Sequence, residues 1–279
     1  MIGSCIFANG KRGKNVFPFF AVVSAILLTL VACSHIDEDE RLIYVKPEAA
    51  KRTVLLEDFT GQRCVNCPKG TAVIHQLEED YGNAVVAVGI YSGSFGKTAA
   101  GRLLPLTTET GNEYFDHWKL NEQPIGMVNR HGAVNYPNWT RDVKEELAKP
   151  APLTIGLEAT ADGDKMIITL NEEGTDGTVT GKLQVWVVED SIVATQTRHD
   201  PIDNDNVTIN DQNYVHNHVL RTAVNGTWGD DFTIGEGERK TQTMTQTLDA
   251  SWNVANLSVV AFVYNDSGVQ QAAKAPVAY

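Results

Sequence analysis

Apolar residues are concentrated in short runs in the first half of the chain. Residues 53–59 and 84–91 are two such runs, and both predict buried strands. Between them, apolar residues recur at three- and four-residue spacing: Val73, Ile74, Leu77 and Tyr81. That spacing predicts a helix that begins near Cys64 and is capped by Gly82. A strand, a helix and a strand in this order predict a parallel strand pair joined by a crossover.

The same part of the chain contains further helix and strand patterns. Tyr114 and Trp118 lie four residues apart and predict a second helix. Residues 125–130 predict a short strand, and a turn leads from it into residues 133–136. A stripe at four-residue spacing predicts a last helix, which prolines then end: Trp139, Val143 and Leu147. Residues 42–149 are therefore expected to form an α/β domain.

The pattern changes after residue 150 from helical spacing to alternation. Residues 182–189 and 257–264 each place every second apolar residue on one face, which predicts strands. The pairs Asp162-Gly163 and Asn225-Gly226 are typical of the turns between such strands. Several short strands separated by turns predict an all-β, immunoglobulin-like sandwich over residues 150–279.

The N-terminus has the pattern of an export signal. A basic patch at residues 11–14 precedes residues 16–32, which are uncharged and mostly apolar. That run is short for a membrane span, which needs about 20 apolar residues. Its end, Leu30-Val31-Ala32-Cys33, resembles the lipobox of bacterial lipoproteins. The resemblance implies a signal peptide over residues 1–32 and a lipid on Cys33. The alternative is an uncleaved anchor with an incidental cysteine.

Charge narrows the range of partners. The net charge is −12, and loss of the three basic residues in the signal would bring it to −15. Such a surface repels nucleic acid and anionic lipid, so no nucleic-acid partner is expected. Residues 37–40 are all acidic and lie in a linker over residues 33–41. The block resembles the surface-export signal of Bacteroidetes lipoproteins, or else it is a solvated linker.

Two cysteines carry the candidate chemistry. The chain has four, of which Cys5 leaves with the predicted signal and Cys33 carries the predicted lipid. Cys64 and Cys67 remain, and a strand followed by C-x-x-C at a helix start is typical of a thioredoxin-like redox motif. A helix N-terminus favours negative charge and so stabilises the attacking thiolate. We therefore expect Cys64 to attack disulfides and Cys67 to resolve them.

Two other interpretations of this cysteine pair stay open. The pair could be an inert disulfide, although closing a three-residue loop gives little entropic stabilisation. It could also belong to a zinc site, but structural zinc usually has four ligands and the sequence has no second C-x-x-C. His216 and His218 lie two residues apart on a predicted strand, and we interpret them as structural residues rather than metal ligands. No metal and no cofactor is expected.

Residues 57–67, Glu-Asp-Phe-Thr-Gly-Gln-Arg-Cys-Val-Asn-Cys, resemble a thioredoxin active-site segment. The resemblance implies that Asp58, six residues before Cys64, is a buried acid that assists proton transfer. It also implies that Pro124 is a cis-proline facing the disulfide, and that Gln123 beside it contacts the substrate peptide. Arg63 replaces the tryptophan usual in that family, and Val-Asn replaces the usual Gly-Pro. These changes bear on redox potential and substrate choice.

The whole chain also resembles one family. The lipobox, the acidic stretch, the segment over residues 54–68 and Tyr-Val-His-Asn-His at residues 214–218 resemble Bacteroidetes outer-membrane lipoproteins related to the 28-kilodalton outer-membrane protein. The resemblance implies outer-membrane anchoring through Cys33, with the folded part in the periplasm or the medium. Two functions stay open: thiol–disulfide exchange on exported proteins, and non-catalytic surface binding or adhesion with the thioredoxin-like fold as a scaffold.

Overall fold

The computed structural model describes residue 46 and residues 48–96, 104–202 and 207–279. The predicted signal, the lipid site at Cys33 and the acidic linker lie outside the described residues. Within those residues, no helix combines the length and the apolar character that crossing a membrane requires.

Most of the described chain is β-strand. In chain order, β1 to β16 are Ala50–Lys51, Val54–Thr60, Val85–Tyr91, Ile125–Val128, Ala133–Asn135, Pro150–Ala151, Leu153–Asp162, Lys165–Gly174, Val179–Glu189, Ile192–His199, Thr208–His216, Val219–Ala223, Asp230–Ile234, Arg239–Thr247, Leu257–Asn265 and Gly268–Ala278. The helices α1 to α4 are Cys67–Tyr81, Gly93–Gly96, Glu109–His117 and Trp139–Leu147. The strands and helices predicted in the first half are confirmed, with small shifts at their ends.

Strand β2 is buried along its whole length because it lies between two neighbours in a sheet. It is parallel to β3, with Val54 opposite Val85, and antiparallel to β4. Helix α1 connects β2 to β3, which confirms the predicted crossover. The helix begins at Cys67 rather than near Cys64, because a turn comes first: the amide of Cys67 donates to the carbonyl of Cys64 at 3.3 Å.

One twelve-stranded mixed sheet contains strands from both halves of the chain. Its order is β14-β8-β7-β16-β15-β9-β12-β3-β2-β4-β5, with β13 beside β9. Strand β12 makes the junction, since it pairs antiparallel with β9 and parallel with β3 through Val219 and Gly89. Residues 46–279 cluster into one unit. Separate domains over residues 42–149 and 150–279 stay a prediction.

The two faces of β2 bury different groups, since successive side chains of a strand alternate. On the face with Leu56 the neighbours are apolar and include residues of α1 and α4: Ile74, Leu77, Trp139 and Val143. On the face with Leu55 the neighbours include an aromatic group from α3, β9 and β15: Tyr114, Trp186 and Phe262. By this alternation Asp58 belongs to the helix-covered face and Glu57 to the aromatic face.

An ion pair between Arg130 and Glu57 lies inside that aromatic group. Nη2 of Arg130 is 2.9 Å from Oε1 of Glu57, and the two side chains are 5% and 0% exposed. The guanidinium carbon is 4.4 to 5.6 Å from five ring centroids: Tyr264, Phe262, Trp118, Tyr114 and Trp186. Burial lowers the pKa of Arg130, but the charge and hydrogen bonds of Glu57 raise that pKa by a larger amount, so the net shift is upward. The arginine therefore stays charged inside the protein.

Replacing Glu57 with glutamine is expected to lower the free energy of unfolding by about 3–5 kcal/mol, because it leaves a buried guanidinium without its counter-charge. The matched control is Asp231→Asn, which removes the partner of Lys182 in a surface pair with side chains 40% and 95% exposed. That change should lower the free energy of unfolding far less, because solvent screens an exposed pair. Urea unfolding measures both, and equal losses in the two variants would contradict the structural role of the Glu57–Arg130 pair.

Candidate functional site

A disulfide between Cys64 and Cys67 lies between the end of β2 and the start of α1. Its S–S distance is 2.09 Å and its Cα–Cα distance is 5.4 Å. Pro68 stands in the first turn of α1, where its missing amide hydrogen costs no helical hydrogen bond. The sequence therefore places both cysteines at a helix N-terminus, as the motif predicts.

The turn before the disulfide packs against α2. The amide of Arg63 donates to the carbonyl of Phe95 at 3.1 Å, and the amide of Cys64 donates to the carbonyl of Gly61 at 3.1 Å. A Cβ atom on Gly61 would lie 2.5 Å from the carbonyl carbon of Phe95, so only glycine fits there. This close approach fixes the position of the chain that enters the cysteine turn.

Gln123 lies against the disulfide and is joined to Pro124 by a cis peptide bond. The carbonyl oxygen of Gln123 is 3.4 Å from Sγ of Cys64. The side-chain amide of Gln123 donates to the carbonyls of Thr60 at 2.7 Å and Ser92 at 3.0 Å. Gln123 thus ties the ends of β2 and β3 together next to the sulfur. The roles of these two residues in substrate binding stay predictions.

Asp58 is buried on β2 with 2% of its surface exposed, and its Oδ1 has no hydrogen-bond partner among the residues that the structure describes. Burial raises the pKa of Asp58 to about 8, and the charge of His218 opposes that rise. A neutral carboxyl at pH 7 can store a proton, which suits the role that the thioredoxin resemblance implies.

A small cavity joins Asp58 to the first turns of α1. Its volume is about 20 Å³, enough for one water molecule. Asp58 and Thr71 both line it, and the hydroxyl of Thr71 donates to the carbonyl of Cys67 at 3.4 Å. Asp58 therefore shares a water-sized space with the helical turn that follows Cys67.

His216 and His218 line the same cavity, but their side chains contact different partners. Nδ1 of His216 is 2.7 Å from the hydroxyl of Tyr91, and burial lowers the pKa of His216 to about 4. His218 lies beyond the end of β11, with Asp190 3.1 Å from Nδ1 and Glu78 3.2 Å from Nε2. Burial lowers the pKa of His218, and these two carboxylates raise it above its ordinary value. Within the described ranges, no group of three or more His, Cys, Asp or Glu side chains is arranged to hold a metal ion.

A hairpin from the β-rich half contacts the turn that carries the disulfide, and nothing in the sequence pattern indicated it. The hairpin consists of β10 and β11. The side chain of Gln196 on β10 is buried and donates to the carbonyl of Cys64 at 2.9 Å. Cys64 and Cys67 are 3% and 1% exposed. The contact joins segments more than 130 residues apart, so periodicity and local motifs carry no signal for it.

Comparison with known proteins identifies relatives. The sequence profile of a family described as outer membrane protein Omp28 matches residues 111–278. Among curated protein sequences, none matches the chain significantly.

Solved structures similar to this chain include three from bacteria. HBP35 of Porphyromonas gingivalis is 17% identical, with a TM-score of 0.60 over 82% of this chain and 76% of its own, and this likeness shows a shared fold. A protein of Agrobacterium tumefaciens is 17% identical, with a TM-score of 0.47 over 81% of this chain and 94% of its own. A domain of the outer membrane lipoprotein Omp28 from Porphyromonas gingivalis is 24% identical, with a TM-score of 0.32 over 46% of this chain and 89% of its own.

Replacing Asp58 with asparagine is expected to raise the free energy of unfolding relative to the wild type. This difference should grow as pH rises from about 4 to about 8. The folded pKa is raised above the ordinary value of 3.8, so the folded state keeps a proton that the unfolded state loses in this window. The wild type therefore loses up to about 1.4 kcal/mol per pH unit from this group, whereas asparagine does not titrate.

Urea unfolding of both proteins between pH 4 and pH 8 measures the difference. The Asp266→Asn variant is the control, because it makes the same chemical change at an exposed position. A stability difference between Asp58→Asn and wild type that stays constant across this range would show that Asp58 is not held protonated.

Proposed function

This chain belongs to the family of outer membrane protein Omp28, and from that premise we propose that it is a thiol–disulfide oxidoreductase that acts on exported proteins. The proteins of this family are outer-membrane proteins, which are exposed to oxidising conditions. The observation that carries the proposal is the Cys64–Cys67 disulfide at a helix start, with the Gln123–Pro124 peptide 3.4 Å from Cys64.

The scaffold of this site is a thioredoxin-like domain followed by an immunoglobulin-like β-sandwich. Support for the first comes from the β2-α1-β3 crossover, the antiparallel β4 and the peptide before it. Support for the second comes from the apolar core that strands β7 and β8 share with β9, β13 and β15. The fold shared with HBP35 is compatible with this two-part scaffold.

The anchor in this proposal is a lipid on Cys33, which lies outside the described residues. Acyl chains stabilise membrane attachment by about 0.8 kcal/mol per buried methylene, and stable anchoring needs more than one chain. A triacylated cysteine meets that requirement. The folded part then faces the periplasm or the medium at the end of the linker over residues 33–41.

The exchange transfers two electrons. A thiolate of an exported protein attacks Sγ of Cys64, the Cys64–Cys67 bond breaks, and the electron pair leaves on Cys67. A second thiolate of the exported protein then attacks that protein's sulfur in the mixed disulfide. The bond to Cys64 breaks, and the electron pair leaves on Cys64. The exported protein leaves with a disulfide, and the two cysteines are left as a dithiol. In the reverse direction Cys64 attacks and Cys67 resolves.

In this mechanism Asp58 carries the proton of Cys67. With its pKa at about 8, the carboxyl is mostly protonated at neutral pH and can donate to the leaving Cys67 thiolate. In the reverse direction it accepts that proton. The water-sized cavity beside Thr71 offers room for a water molecule to carry it.

A second candidate function is non-catalytic surface binding or adhesion, with the thioredoxin-like fold as a scaffold. The observation that favours it is the burial of both sulfurs, since a buried disulfide reacts slowly with partners. Under this alternative the disulfide is a structural bond, and contact with a partner comes from the β-rich half.

Replacing Cys67 with alanine is expected to trap exported proteins on Cys64, because the mixed disulfide then has no resolving thiol. The variant should give high-mass species on non-reducing gels of the cell envelope, and a reductant should collapse them. Mass spectrometry of those species identifies the partners.

Cys64→Ala serves as the control and should give fewer adducts, because its remaining thiol is the less exposed one. The double variant should give none. The oxidoreductase proposal fails if Cys67→Ala traps nothing and the wild type does not oxidise a reduced, unfolded model protein. That result would leave the binding function as the one supported.

A further inference from the structure

The β10–β11 hairpin stands apart from the large sheet. Its two strands pair with each other, and neither belongs to the ladder of the twelve-stranded sheet. A hairpin with this pairing can move away without breaking that sheet. Elements with few backbone bonds to the rest of a protein open locally at lower cost than central strands do.

Several hydrogen bonds join the hairpin to the loop that carries Cys64, besides the contact of His216 on β11 with Tyr91 on β3. The amide of Thr197 donates to the carbonyl of Gln62 at 2.7 Å. In return the side-chain amide of Gln62 donates to the carbonyl of Thr195 at 3.1 Å. Near the turn itself, Nε2 of His199 is 3.2 Å from Oδ1 of Asn66. These contacts lie along the chain from Gln62 to Asn66, which is the chain that carries Cys64.

Gln196 makes the innermost of these contacts. Its side-chain amide donates to the carbonyls of Gly61 at 3.2 Å and Cys64 at 2.9 Å, and the residue is 2% exposed. Both acceptors are backbone groups of the cysteine turn. A polar side chain this deeply buried keeps the hairpin seated, because withdrawal from the loop leaves its amide and two carbonyls without these partners.

We propose that the β10–β11 hairpin is an autoinhibitory cover over the Cys64–Cys67 disulfide, and that the protein undergoing exchange displaces it. The inference rests on the proposed oxidoreductase function and names the regulation of that site. With the hairpin seated, an attacking thiolate has almost no exposed sulfur to approach. The bond between Thr197 and Gln62 is a backbone bond of the kind an extended peptide also makes, so an extended segment of the partner can replace it.

The test is the rate at which dithiothreitol reduces the disulfide in the full chain, followed by alkylation and mass spectrometry. Gln196→Ala removes two hydrogen bonds from the cover and should speed reduction about tenfold or more. Gln212→Ala is the matched control, since it makes the same change at an exposed position on β11. It should reduce at the wild-type rate.

Two further variants keep the test decisive. Gln62→Ala weakens the cover from the opposite side and should also speed reduction, so it replaces Gln196→Ala if that variant does not fold. Ile168→Ala weakens the distant core of β8 and should leave the rate unchanged. The proposed cover is contradicted if reduction is no faster in Gln196→Ala and Gln62→Ala than in the wild type. It is also contradicted if Ile168→Ala speeds reduction as much as they do.

The same variants separate the cover from the exchange activity. Gln196→Ala combined with Cys67→Ala should trap more exported protein than Cys67→Ala alone. If dithiothreitol reduction speeds up but no protein is trapped, the cover stands and the oxidoreductase function fails. If proteins are trapped at equal levels and the reduction rate is unchanged, the oxidoreductase function stands and the cover fails.

Discussion

The pair of Glu57 and Arg130 constrains the register of β2, the strand that leads into the candidate site. A guanidinium removed from water requires a carboxylate at bonding distance, and aromatic faces stabilise it further. The carboxylate comes from β2, while the rings come from α3, β9 and β15. Strands from both halves of the chain thus meet on one cation. A shift of β2 by one residue would turn Glu57 towards the helices and Asp58 towards the rings, so the register of β2 is strongly determined.

That register also places the groups of the candidate site. Strand β4 runs antiparallel to β2 with Phe59 opposite Ile125, so the peptide before β4 lies beside the end of β2. The end of β2 leads directly into the turn of Cys64 and Cys67. Alternation along the same strand puts Asp58 under α1, on the face opposite Glu57. The register that this ion pair favours therefore brings the disulfide, the peptide before β4 and Asp58 to the same end of β2.

Hydrophobic periodicity was enough to locate β2, α1, β3 and α4, because each buries one face or its whole length. The C-x-x-C motif was enough to locate Cys64, and the resemblance to a thioredoxin active-site segment pointed to Asp58. Arg130 was missed because a charged residue after a strand is typical of the surface. The hairpin contact through Gln196 was missed because its partner lies more than 130 residues away, and a polar side chain gives no signal of burial.

In the proposed function, the Cys64–Cys67 bond exchanges with protein thiols rather than acting as a fixed link. The most direct measurement of this is the reduction potential of the pair, equilibrated against glutathione buffers with both cysteines in the full chain. Exchange predicts a potential above about −300 mV, within reach of cellular thiols. A potential far below that value would identify an inert structural bond and contradict the proposed exchange.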